Sequence, residues 1–151
     1  MPPASLNGND AADDGGQGRD TAVTPARLRR IMGELVTGVT IVAARDPQTG
    51  GLCGLTANSV TSVSLEPPLV LVCVDETSDT HACIERAEHF SVNVLAADQI
   101  PLSRRFAGKD STGKFEGIAY REEATGAPVI DGSLGWVDCR VWARYPGGDH
   151  T

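Results

Sequence analysis

Apolar and polar positions recur along this chain with two different periods, and the changes between them mark out its elements. Leu28, Ile31, Met32 and Leu35 fall at helical spacing behind Thr24-Pro25, an N-cap followed by proline at the first helical position, which predicts an amphipathic helix over 24–35. Residues 36–44 read as a strand, closed by the turn Asp46-Pro47-Gln48-Thr49-Gly50-Gly51. Residues 69–74 are an unbroken apolar run, the pattern of a strand buried on both faces. Ser78-Asp79-Thr80 can cap a helix that runs to about Ala87. Phe90, Val92 and Val94 alternate with Ser91, Asn93 and Leu95 in a further strand, and Ile100, Leu102 and Phe106 share one side of a short helix over 98–106. Residues 107–128, with Gly108, Gly113, Gly117 and Gly126 spread through them, read as loop, and 136–144 alternate as a last strand before the turn Tyr145-Pro146-Gly147-Gly148-Asp149.

The stretch 54–64 breaks the pattern. Thr56, Asn58, Ser59, Thr61, Ser62 and Ser64 put small donors on both parities of an expected strand, where a strand lining a core would keep one face clean. Two accounts fit: a wall that holds a polar ligand by several neutral hydrogen bonds, or a solvated edge strand that tolerates Thr and Ser. Pro67-Pro68 follows and forces a corner, because neither proline can donate to a ladder.

Composition then narrows the class. The 151 residues fit one domain able to bury roughly two-thirds of its unfolded surface. Residues 1–22 hold almost nothing to bury and are expected to form a disordered tail, leaving 23–151 as the domain. Thirteen Lys and Arg against twenty Asp and Glu give a net charge of −7 and a pI of about 4.8, which argues against a nucleic-acid partner. An anionic ligand stays possible, since local backbone N–H groups can hold a phosphate against the global sign. Cys53, Cys73, Cys83 and Cys139 form no C-x-x-C pair, and free thiols in apolar surroundings are the expectation, without excluding disulfides. With no signal-like N-terminus and no apolar run of membrane-spanning length, a reduced, cytoplasmic protein with no membrane partner is expected. Short strands with two or three small helices between them suggest an α+β, mainly β protein: an antiparallel barrel with helical trim.

Few residues offer chemistry of their own. Phosphate-loop, dinucleotide-loop and nucleophile-elbow motifs are absent. His81, His89 and His150 share no metal-ligand spacing, and His81-Ala82-Cys83 is at most half a zinc site, so no metal is expected. Gly147-Gly148-Asp149-His150 permits close backbone approach beside an Asp-oriented imidazole, or is simply a glycine-rich hairpin tip. Arg104-Arg105-Phe106-Ala107-Gly108-Lys109 combines cations, an aromatic face and a flexible glycine, which suits a planar anionic ligand and equally a capped helix C-terminus.

From about Arg27 onward, seven pieces occur in the order and spacing of a known family: Thr37-Gly38-Val39-Thr40, residues 54–64, Pro67-Pro68-Leu69-Val70-Leu71-Val72, Phe90-Ser91-Val92-Asn93-Val94-Leu95, Ser103-Arg104-Arg105-Phe106-Ala107-Gly108, Gly126-Ala127-Pro128 and Gly148-Asp149-His150. In these the chain resembles the short-chain flavin reductases, the FMN-binding split barrels that serve as reductase components of two-component flavin monooxygenases. The resemblance implies a homodimeric antiparallel split β-barrel that uses NADH or NADPH to reduce FMN or FAD and passes reduced flavin to a monooxygenase. It places Thr56, Ala57, Asn58 and Ser59 on the isoalloxazine and ribityl chain, and Ser62, Ser64, Cys73, Val74 and Asp75 in the same pocket. Ser78 and Thr80 would lie nearer the phosphate, Phe106, Ala107 and Gly108 would close one side, Lys109 or Lys114 would meet the phosphate, and His150 would meet the nicotinamide nucleotide. The family continues past Gly-Asp-His with a further strand, so the domain is expected to be incomplete at its C-terminus, and a flavin-binding dimerisation module without turnover is the alternative. A haem- or pyridoxal-phosphate-type split barrel is a third expectation. Hydride transfer between cofactors needs no acid–base dyad from the protein, which suits a chain without an obvious catalytic cluster.

Overall fold

The computed structural model describes residues 23–108 and 112–151, and the chain divides into two units, Met1–Thr37 and Gly38–Thr151. The expected tail and Lys109 lie outside the described residues. In the first unit, helix α1 (Pro25–Gly33) starts where the Thr24 hydroxyl accepts the Arg27 N–H at 3.2 Å, with proline at the first position. None of its residues is buried, and Leu28 and Met32 are exposed.

The second unit contains, in chain order, β1 (Thr40–Arg45), β2 (Leu52–Ala57), β3 (Val60–Leu65), β4 (Pro68–Val72), α2 (Asp79–Ala87), β5 (His89–Val94), α3 (Ile100–Phe106), β6 (Tyr120–Glu122), β7 (Pro128–Ile130) and β8 (Gly135–Arg140). Every ladder is antiparallel: a four-stranded sheet in the order β2-β1-β5-β8, and the pairs β3-β4 and β6-β7. β1 is covered on both faces. Ile41 and Ala43 meet Phe106 and Ile130 on one side, while Val42 meets Ala57 and Val92 on the other.

Several expectations are corrected. The expected strand over 36–44 begins only at Thr40, after the Thr37-Gly38 break. The odd stretch 54–64 is two strands, interrupted at Asn58-Ser59, so its donors occupy both parities because the chain changes sheet there. β4 is half-exposed rather than buried on both faces, because only β3 ladders with it and its other side borders a groove. The supposed loop 107–128 hides the hairpin arm β6 and leads into β7, the two joined through a turn in which Gly126 takes φ +82°. The last strand ends at Arg140 rather than Arg144. The corner at Pro67-Pro68 is present, as the β3–β4 turn with a cis Glu66–Pro67 bond.

A disulfide joins Cys53 of β2 to Cys83 of α2, which corrects the expectation of a reduced protein with free thiols, one that had not excluded a bond; Cys73 and Cys139 are free. The surroundings are apolar as expected, with Ala44, Ile84 and Phe90 packed against the bonded pair. Beside it, the Arg86 guanidinium donates to Asp46 Oδ2 from Nε at 3.2 Å and from Nη2 at 2.5 Å, with Nε also 3.3 Å from Oδ1, and the hydrogen bonding holds that carboxyl below the usual carboxylate range. A lowered native value adds stability above the unfolded carboxyl's value and loses it as pH falls through the native one. Asp46→Asn is therefore expected to flatten the acid limb of the stability curve, read as a smaller difference in urea midpoint between neutral and acid pH than in the unmodified chain.

Among the described residues no helix is long and apolar enough to cross a membrane, and no cluster of His, Cys, Asp and Glu could hold a metal ion.

Candidate functional site

Three local arrangements position the residues singled out above. The first is the bend after β2. Thr56 donates its hydroxyl proton to Ser103 O of α3 at 2.6 Å, and Ala57 is buried with its carbonyl accepting the Thr40 hydroxyl at 2.7 Å. Asn58 and Ser59 then leave the sheet and are exposed. The Ser59 hydroxyl donates to Cys73 O at 3.1 Å, whereas the Asn58 amide and the Ser62 hydroxyl have no side-chain hydrogen bond among the described residues. The bend thus presents neutral donors and acceptors to whatever lies over it, without an ionised group of its own.

Phe106, Ala107 and Gly108 belong to the same arrangement. The Phe106 ring is fully buried against the β2 backbone, so close to Gly54 that a Cβ there would meet a ring carbon at 2.9 Å. Only glycine fits at that point. Lys114 is turned inward onto the carbonyls of Gly54, Phe106 and Gly108, a placement nothing in its sequence context indicated. Arg105 donates to Gly113 O and to Glu116 O at 2.9 Å, which fits the helix-terminus reading of the arginine pair better than the anion reading.

The second arrangement is an open groove of about 940 Å³ between β4 and the stretch 137–147. Ser62, Ser64, Cys73, Val74 and His150 line it together, with Val72, Phe90, Val137 and Trp142 supplying apolar wall. Ser64 accepts the Glu66 N–H at 3.2 Å. The predicted terminal turn is present: Gly147 N donates to His150 O at 2.7 Å, Gly148 takes φ +84°, and His150 bridges Asp75 while Thr151 exchanges two backbone hydrogen bonds with Val74. His150 Nδ1 is 2.7 Å from Asp149, whose carboxyl that hydrogen bond holds below its usual range; Nε2 is the ring nitrogen left for a ligand.

The third arrangement is the N-terminus of α2. Ser78 caps it, accepting the His81 N–H at 3.1 Å and donating to Asp75 O at 2.8 Å, while Thr80 is buried. The Asp75 carboxylate accepts the N–H and the hydroxyl of Thr77. His81, which sequence reading set aside, places Nε2 3.0 Å from the Thr151 hydroxyl and so joins this helix to the terminal turn. The expected residues therefore do not converge on one point. Ser59–Cys73 joins the bend to the groove, and the Asp75–His150 bridge joins the groove to α2.

The donor set suits a flavin: neutral hydrogen-bonding groups at a bend beside an open groove, with the isoalloxazine itself the redox group. Comparison with known proteins agrees. Residues 32–151 match the flavin reductase like domain. A flavin reductase of Pseudomonas putida is 42% identical over 130 residues, covering 86% of this chain and 75% of that one. The reductase subunit HsaB of a flavin-dependent monooxygenase from Rhodococcus jostii is 43% identical over 129 residues, covering 85% and 65%. Among solved structures, the NADH:FAD oxidoreductase SgcE6 of Streptomyces globisporus, in complex with NAD and FAD fragments, superimposes with TM-score 0.76 at 38% identity, covering 83% of this chain and 74% of that one. The mainly antiparallel fold with three helices among its described residues is that of the flavin reductase split barrels. The chain belongs to the flavin reductase like domain family.

Proposed function

We propose that this chain is an NAD(P)H-dependent flavin reductase that binds FMN or FAD over the bend at 56–59 and along the Ser62–Ser64 side of the groove. The observation that carries the reading is the pair of polar side chains, Asn58 at the bend and Ser62 on the groove, that have no side-chain hydrogen bond among the described residues, in a chain of this family. A flavin held there would supply the hydride acceptor. The protein's own work is to hold the ring against the bend, to offer neutral donors where charge grows on it, and to align the nicotinamide at near-attack distance. His150, steadied by Asp149, is the group proposed to meet the nicotinamide nucleotide. Reduced flavin then serves a monooxygenase partner, as the names of the Rhodococcus relative and its like suggest. A cytoplasmic site of action, where NAD(P)H is supplied, and a homodimer belong to the same proposal; the exposed Trp142 and Leu134 side chains, each 74% exposed, are candidates for burial between copies.

The test mixes the protein with FMN or FAD and NADH or NADPH and follows loss of reduced nicotinamide. Flavin binding without that loss would leave only a binding module, and no flavin binding would refute the reading. Asn58→Ala is expected to raise the flavin Kd about three- to tenfold, the loss of one or two ligand hydrogen bonds, without lowering Tm. His150→Ala is expected to raise KM for the nicotinamide more than KM for flavin; the opposite split would move the nicotinamide elsewhere.

A further inference from the structure

We infer that Lys114 is a positioning residue of the flavin site, a buried cation that sets the spacing between β2 and the turn at 106–108; the inference rests on the flavin site proposed above. The residue is only 5% exposed, and its ammonium lies 3.1 Å from Gly54 O, 3.3 Å from Phe106 O and 2.6 Å from Gly108 O. An ammonium has three N–H donors, and three carbonyls from two different segments stand within reach of this one. Gly54 belongs to β2, two residues before Thr56 and four before Asn58, while Phe106 and Gly108 bracket the end of α3. One side chain thus holds both walls of the proposed flavin site.

The placement is electrostatically apt. The carbonyls that end α3 carry the negative end of its dipole, where a cation is favourable. The ammonium also lies 6.0 Å from the centroid of the Phe106 ring, at the limit of cation–π range. A second tie runs from Thr56 Oγ1 to Ser103 O at 2.6 Å, so β2 is fastened to α3 at alternate residues, Gly54 and Thr56, just before it releases Asn58. Between the two ties the Phe106 ring is pressed against Gly54 so closely that no Cβ fits. The distance from the bend to the turn is therefore fixed from inside the protein.

Taking an ammonium out of water is costly, and a buried cation is weak evidence for stability, since well-packed apolar replacements are often tolerated. What an apolar chain cannot do is bind three carbonyls of two segments at set distances. The buried ammonium, facing main-chain oxygens, accordingly acts on the flavin through the backbone and not as a phosphate ligand.

Flavin fluorescence quenching by the full chain, with Tm recorded alongside, tests this. Lys114→Met is expected to raise the flavin Kd about tenfold or more, with KM for flavin rising in the same ratio and KM for NADH unchanged. Asp46→Asn, which breaks the ion pair with Arg86 between the end of β1 and α2, serves as control: it lowers Tm yet leaves the flavin Kd unchanged at temperatures where the variant is folded. A Kd for Lys114→Met within roughly twofold of the unmodified chain overturns the inference. So does a parallel rise in the KM values for flavin and NADH, which marks general loosening. Should Lys114→Met not fold, Gly54→Ala decides, because its Cβ disturbs the same spacing against Phe106 without touching the ammonium. A raised flavin Kd there supports the inference, and an unchanged one overturns it. If the unmodified chain itself binds no flavin, the proposed function fails first, which separates the two outcomes.

Discussion

Reducing the Cys53–Cys83 bond is expected to lower the stability of the folded chain by about 3–4 kcal/mol, the chain-entropy value for a loop of this length. The bond spans 30 residues, and everything between β2 and α2, including the bend, β3 and β4, lies inside the loop it closes. Without it the unfolded chain recovers freedom that the intact loop denies, while the packing of Ala44, Ile84 and Phe90 around the sulfurs stays nearly the same. For a chain of this size the change corresponds to a fall in Tm of roughly 6–16 °C. Thermal unfolding with and without dithiothreitol measures it, and Cys53→Ala/Cys83→Ala should match the reduced protein and no longer respond to reductant. A Tm that ignores reductant would show that the two sulfurs are not bonded in solution. Cys139 serves as contrast: half-buried beside Asp138, its thiol is pushed up by burial and then by that carboxylate, which disfavours the nucleophilic thiolate.

What could be read from residue order alone follows a physical line. α1, α2 and β5 were legible because capping and periodicity are local: Thr24 and Ser78 cap as their position predicts. Order also served at the terminal turn, where Gly147-Gly148 dictates the reversal whatever surrounds it. Other features depend on partners distant in sequence. The donors over 54–64 looked anomalous only because a change of sheet at Asn58 carries no strong breaker, neither Gly nor Pro. Three-residue strands such as β6 and β7 have no period to detect, and their pairing of Tyr120 with Ile130 is set by the tertiary fold. The inward turn of Lys114 and the bonding of Cys53 to Cys83 need coordinates, since nothing near either residue names its partner. The candidate site was legible as residue types at the bend and became geometry only when α3 was seen to back it.

Asn93→Ala should cost about 3 kcal/mol, more than a single lost hydrogen bond, because it strands several buried groups at once. The alternation of β5 invites the view that Ser91 and Asn93 form a wet face, yet both are fully buried. Asn93 Oδ1 accepts the Ile130 N–H at 2.8 Å, and its amide donates to Ile41 O at 3.2 Å and to Ser91 Oγ at 3.0 Å. One side chain on β5 therefore ties β7 to the central sheet, with Ser91 adding a bond to Pro128 O at 2.5 Å. Alanine leaves the Ile130 N–H without its acceptor inside the core, and a void where the amide stood. Asn93→Asp tests the same network by charge. Its shape is nearly conserved, but an ionised carboxylate cannot donate to Ile41 O, and burial raises its native pKa above the unfolded value of about 3.9. The sign follows: a raised native pKa lends stability that is complete below the unfolded value and is lost as pH climbs through the native one. Relative to the unmodified chain, Asn93→Asp should thus be destabilised far more at neutral pH than near pH 4, whereas Asn93→Ala should show the same deficit at both. Urea unfolding at the two pH values separates them; equal deficits for Asn93→Asp would mean that position 93 is open to water.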